Sequence, residues 1–176
     1  MVENGKVVDA KLTGGMYRGF ESILRGRHPR DAAQIVQRIC GVCPTAHATA
    51  ASLALEKASG TKVPSNGRAT RNLILGANYL QSHILHFYHL AGQDFIQGPD
   101  TAPFMPRYAK PDLRLPPAIN AVGVDQYVEA LEVRAVCHEM VALFGGRMPH
   151  VHGILAGGAA EIPTKEKLVE YAARFK

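Results

Sequence analysis

"RICGVCPTAH", residues 38–47, places two of the chain's three cysteines and a histidine within one short stretch. Ala32, Ile35, Val36 and Ile39, just before it, recur at helical spacing. Pro44, just after it, suits the first position of a new helix. Cys40 and Cys43 therefore fall at a helix–loop–helix junction, and the fold read outward from them is helical. Their thiols face the start of the second helix, with Arg38 close by. Both influences favour thiolate, the form that binds soft metals. His47 lies one turn past Cys43, so its imidazole can return to the same place as a ligand or a hydrogen-bond donor.

On the N-terminal side, residues 5–13 read as a turn and a short strand, followed by a turn at Gly14-Gly15. A helical stretch then stops at Gly26, and a second helix has Pro29 at its first position and Asp31 in its first turn. On the C-terminal side, Pro44 opens an Ala-rich helix closed by Gly60. A long helix is expected over 66–93. Residues 98–117 carry six prolines and read as an ordered loop laid over a surface. A helix is expected over 125–144, ending at Gly145-Gly146, then a loop over 148–163. Thr164 caps a last helix. The fold class is mostly α with a small N-terminal β element, and residues 1–176 read as a single partial domain, incomplete at both ends.

The chain is 47% hydrophobic and 20% charged, a globular balance. Its net charge of +5 comes largely from arginines between Arg18 and Arg38. No RNA-binding aromatic signature or zinc-finger framework accompanies them, so no nucleic-acid partner is expected. The start lacks the apolar core of a signal peptide, and no apolar run reaches the ~18 residues of a membrane span. Three cysteines do not make a disulfide framework.

On spacing alone, Cys-x-x-Cys has three meanings. A structural zinc site needs four ligands, and the other candidates are scattered. A thioredoxin-like dithiol wants a strand before the pair, where this chain has a helical stripe. A thiolate site for nickel or iron takes further ligands from elsewhere.

The surrounding residues, "RGFESILRGRHPRDAAQIVQRICGVCPTAHA", resemble the first signature of the nickel-iron hydrogenase large subunit: R-G-x-E, G-R-D-P-R-D-A, then R-x-C-G-x-C-x-x-x-H. "HILHFYHLAGQDF", "GVDQYVEALEVRAVCHEMVALFGGRMPH" and "GGAAEIPTKEKLVEYA" resemble later parts of the same family. Ser82, where many relatives have Asp, looks most like the nickel-iron-selenium subgroup. The resemblance implies a helical core of the large-subunit type. It also implies reversible heterolytic oxidation of H2 to protons and electrons, at a nickel-iron centre whose iron carries carbon monoxide and cyanide. Cys40 would be a terminal nickel ligand and Cys43 a bridge between nickel and iron. His47 would stand outside the ligand set, donating to the bridging sulfur or orienting the pocket. Glu21 matches a glutamate that binds magnesium, and carboxylate oxygen suits a hard cation.

The resemblance further implies a small subunit carrying iron-sulfur clusters, and a place in the periplasm or on the outer face of the cytoplasmic membrane. The family's second motif, D-P-C-x-x-C-x-x-H, is absent, as is its R-I-E-G-H segment. The chain thus reads as the N-terminal part of a large subunit, with an exposed apolar face where the C-terminal half and the small subunit pack. The alternative is a non-catalytic metal-binding or assembly module that keeps the scaffold. His28 replaces the family's usual Asp before Pro29 and is expected to be the poorer cap. His83, His86 and His89 read as packing and hydrogen-bonding residues, and Cys137 as a buried small hydrophobe. Gly157-Gly158 lacks a phosphate-loop context.

Overall fold

The structure is a computed structural model that describes residues 1–102, 104–106, 113 and 115–175. It is mostly helical, with two small antiparallel hairpins. Strands β1 (Val2–Glu3) and β2 (Lys6–Val7) pair Val2 with Val7 and Glu3 with Lys6. Asn4 and Gly5 join them with φ of 50° and 76°, the two left-handed residues that a tight hairpin turn demands. The strand expected over 5–13 is therefore only its first residues, and its partner lies before the turn.

Helix α1 (Phe20–Leu24) is short. Residues 29–39 form one helical run, with 3₁₀ turns flanking α2 (Ala32–Val36). His28 does cap this run. Its Nδ1 accepts from the Arg30 N–H at 3.2 Å, because a neutral imidazole nitrogen offers the same lone pair as a carboxylate. Helix α3 (Pro44–Ser59) has Pro44 in its first turn and Gly60 in the left-handed conformation after it, as read.

Helix α4 (Ser65–Ile84) continues into a π-helical stretch, Leu85–Ala91, and a 3₁₀ turn, Gly92–Asp94. Helix α5 (Pro117–Gly145) starts eight positions before the expected 125, since Pro117 occupies its first turn. In the Pro-rich loop Phe104 is buried, 5.3 Å from the ring of Tyr127 on α5. Residues 103, 107–112 and 114 of that loop lie outside the described residues.

The stretch expected to be loop contains a hairpin, β3 (Ile154–Leu155) with β4 (Gly158–Ala159). Helix α6 (Lys165–Ala173) is capped by Thr164, whose hydroxyl accepts from the Lys167 N–H.

The core gathers Ala48 of α3, Ile74 and Ala77 of α4, Met140, Val141 and Phe144 of α5, then Val151, Ile154 and Tyr171. Glu56 and Arg71, only 7% and 5% exposed, pin its edge. Their charged groups form an ion pair, and the Glu56 carboxylate also accepts from the Gly157 N–H at 2.7 Å. Arg71 donates to the Gly158 carbonyl at 2.6 Å and to that of Leu155. A Cβ on Gly67 would meet the Gly158 backbone at 3.1 Å, so α4 and the hairpin touch main chain to main chain. Gly157-Gly158 thus serves this contact. Large apolar side chains are exposed: Leu12 is 103% exposed, and Met16, Leu53, Phe87, Leu90, Val128 and Leu131 face outward.

Candidate metal centre

Two helical elements deliver the cysteines. The run 29–39 ends at Cys40, whose backbone is extended, and Cys43 sits at the N-terminus of α3. The loop curls back over the first sulfur. Cys40 Sγ accepts from the N–H groups of Val42 and Cys43, both at 3.3 Å. Neither cysteine is disulfide-bonded.

The two thiols are electrostatically unequal. Burial raises the Cys40 thiol, but the hydrogen bond from Cys43, the two backbone N–H groups and the charge of Arg18 outweigh it. Its pKa lies below the ordinary thiol value. Cys43 is pushed up to about 11 by burial, by its hydrogen bond to Cys40 and by the charge that Cys40 carries. Cys40 is therefore the readier of the two to ionise, whereas the sequence reading expects both thiols to favour thiolate. His47 comes back as expected: its Nε2 is 3.6 Å from Cys43 Sγ.

The cation beside Cys40 is Arg18, not Arg38. Arg18 donates to the carbonyls of Arg38 and Ile39, while Arg38 turns back onto its own helix and donates to the Gln34 carbonyl at 2.7 Å. A second support went unread in the sequence. Gln81 of α4 donates to the Val42 carbonyl at 2.7 Å, and Arg134 of α5 donates to Gln81 Oε1 at 3.5 Å. Ser82 lies against the same amide, its hydroxyl accepting from Gln81 Nε2 at 2.9 Å. No sequence signal joins residues so far apart in the chain.

Other candidates separate from this centre. Glu21 is exposed on α1. His83 and His86 are exposed, and the ring N–H of His89 donates to the Tyr127 carbonyl at 3.0 Å, so the three histidines do not converge. Cys137 is buried, its thiol pushed up by burial. Among the described residues, no group of three His, Cys, Asp or Glu side chains is placed to hold a metal ion. The cysteine pair is therefore a partial donor set: two soft sulfurs, the first the readier to ionise, with a histidine behind the second. Such donors fit nickel or iron thiolate chemistry and leave coordination positions to be filled from outside the described residues.

A family model described as nickel-dependent hydrogenase matches residues 18–99 and 93–174. The chain belongs to the nickel-dependent hydrogenase family. This hydrogenase-family chain is 65% identical over 183 residues to the periplasmic [NiFeSe] hydrogenase large subunit of Desulfomicrobium baculatum, covering 99% of the chain and 36% of that relative. It is 34% identical over 202 residues to the hydrogenase-2 large chain of Escherichia coli K12, covering 90% of the chain and 36% of the relative. Its fold superposes on the Ni-Fe-Se hydrogenase of D. vulgaris Hildenborough with a TM-score of 0.89 at 79% identity, over 99% of this chain and 36% of that one. The chain thus spans about a third of the length of these relatives. Its resemblance to the selenium-containing subgroup and its mostly helical fold class both stand.

Proposed function

We propose that this hydrogenase-family chain supplies Cys40 and Cys43 as two of the nickel ligands of a hydrogenase large subunit, with residues 1–176 acting as one partial domain of it. The observation that carries the reading is the Cys40–Cys43 loop itself. One sulfur accepts from two N–H donors, and the other is backed by His47.

When bound, the nickel-iron centre supplies the reversible oxidation of H2 to protons and electrons. The chain's own residues prepare the place for it. Cys40 is the more readily ionised of the two sulfurs, and Cys43 releases a proton on taking a metal. By the family resemblance Cys40 would be the terminal ligand and Cys43 the one shared between nickel and iron, a sharing that the lone pairs of a thiolate would allow. His47 orients the Cys43 sulfur from the next turn of α3.

Carbon monoxide and cyanide on the iron, and magnesium held by Glu21, belong to the same proposal through the family resemblance. The partners proposed are a small subunit carrying iron-sulfur clusters and the C-terminal half of the large subunit. The outward-facing apolar side chains support such packing. A periplasmic location is supported by the name of the Desulfomicrobium baculatum relative. No described helix is long and apolar enough to cross a membrane.

The test is metal analysis and infrared spectroscopy of the assembled subunit. Stoichiometric nickel with carbon monoxide and cyanide bands, both lost in Cys40→Ser and Cys43→Ser, is the expected result. Zinc alone, or nickel retained in both variants, overturns the assignment.

A further inference from the structure

We infer that Gln81, held in orientation by Arg134, is a positioning residue for the Cys40 sulfur; the inference rests on the ligand role proposed above. The peptide unit between Val42 and Cys43 is rigid and planar, so its C=O and N–H cannot turn independently. Its carbonyl accepts from Gln81 Nε2 at 2.7 Å, and its N–H points at Cys40 Sγ at 3.3 Å. Fixing the oxygen fixes the direction of the N–H. Gln81 therefore acts on a sulfur that it does not touch.

An amide side chain can present either end, and the wrong end would set an oxygen against the Val42 carbonyl. Arg134 decides the matter. A guanidinium has donors only, so its Nε–H accepts no flip: Oε1 must face Arg134 at 3.5 Å, and the NH2 group must face Val42. Gln81 is fully buried at 0% exposure, and its Nε2 also lies 2.9 Å from Ser82 Oγ and 3.4 Å from Asn78 Oδ1. The clamp draws on α4 and α5 together, so the packing of these two helices is transmitted to the metal-binding loop.

The test is titration of the reduced chain with Ni2+, read by the thiolate-to-nickel charge-transfer band, with melting temperature and far-UV circular dichroism as controls. Gln81→Leu is expected to weaken Ni2+ binding about tenfold, the usual scale for losing a group behind a metal ligand. The band should also move to lower energy, because a sulfur without its N–H donor holds its lone pairs less tightly. Arg134→Met is expected to weaken binding less, Arg134→Lys to restore it, and the double variant to bind no worse than Gln81→Leu alone. Should Gln81→Leu fail to fold, the Arg134→Met and Arg134→Lys pair carries the same test. Unchanged affinity and band energy in the variants, with nickel bound by the parent chain, overturns the clamp alone. No charge-transfer band in the folded parent chain overturns the ligand assignment and the clamp with it.

Discussion

His47 Nε2 stands 3.6 Å from Cys43 Sγ, across one turn of α3. The contact places a ring nitrogen behind the sulfur with the higher pKa. His47→Phe keeps an aromatic ring of similar breadth and removes the nitrogen. The expected outcome is a 10–100-fold weaker nickel affinity, about the scale for groups that orient metal ligands, checked by equilibrium competition with a chelator.

The inequality of the two thiols predicts an order of reaction. Cys40 ionises first, so at about pH 7.5 iodoacetamide should modify Cys40 well before Cys43, because the thiolate is the nucleophile. Peptide mapping by mass spectrometry checks it. Cys40→Ser removes the hydrogen bond and charge that raise Cys43 alongside burial, so the Cys43 pKa should fall from about 11 while burial keeps it above the ordinary value. A Cys43 titration unmoved by this substitution would contradict the coupling between the two thiols.

The cysteine loop was readable because its signals are local: an apolar stripe, a proline at a helix start and a glycine after its end. The supports around it were not. Gln81 and Arg134 reach it from other helices, and nothing at either position marks a glutamine that will be buried. Arg18 and Arg38 show the limit more sharply. Arg38 is the nearer to Cys40 in the sequence, and only the folded backbone shows that it turns back to Gln34 while Arg18 reaches the carbonyls of residues 38 and 39. The β3–β4 hairpin escaped for a related reason. Its two-residue strands carry almost no alternation, and it is held through Arg71 and Glu56, which sit on separate helices.

That Glu56–Arg71 pair predicts a stability effect. Removing one partner leaves a buried charge uncompensated, so Arg71→Met should cost about 3–5 kcal/mol, measured by urea unfolding. The Glu56 carboxyl is held below its ordinary pKa by the hydrogen bond from Arg71, the Gly157 N–H and the Arg71 charge, against burial. Its folded pKa is thus below the unfolded one. The stabilisation is present above the unfolded carboxylate range and is lost as pH falls through the folded value. In Glu56→Gln, stability should decline less steeply with acidification than in the parent chain.

The core offers a control that leaves the cysteine loop alone. Phe144 is fully buried, its ring 5.7 Å from that of Tyr171, and it joins α5 to α6. Phe144→Ala should cost about 3–5 kcal/mol through lost burial and the cavity left behind. Thermal unfolding checks the loss. The order of alkylation of Cys40 and Cys43 should persist at temperatures where the variant is still folded, since neither thiol depends on this contact.

The partial donor set leads to a prediction about activity. Two sulfurs are brought together, and no third metal-binding side chain joins them among the described residues. Nickel bound to the isolated 176-residue chain should therefore keep solvent or buffer ligands in its remaining positions and be removed by a modest chelator. Hydrogen uptake with a viologen dye should be undetectable for the isolated chain, even when loaded with nickel. Dye reduction under hydrogen by the chain alone would show that two cysteines and the groups behind them suffice. The need for further ligands from the rest of a large subunit would then be disproved.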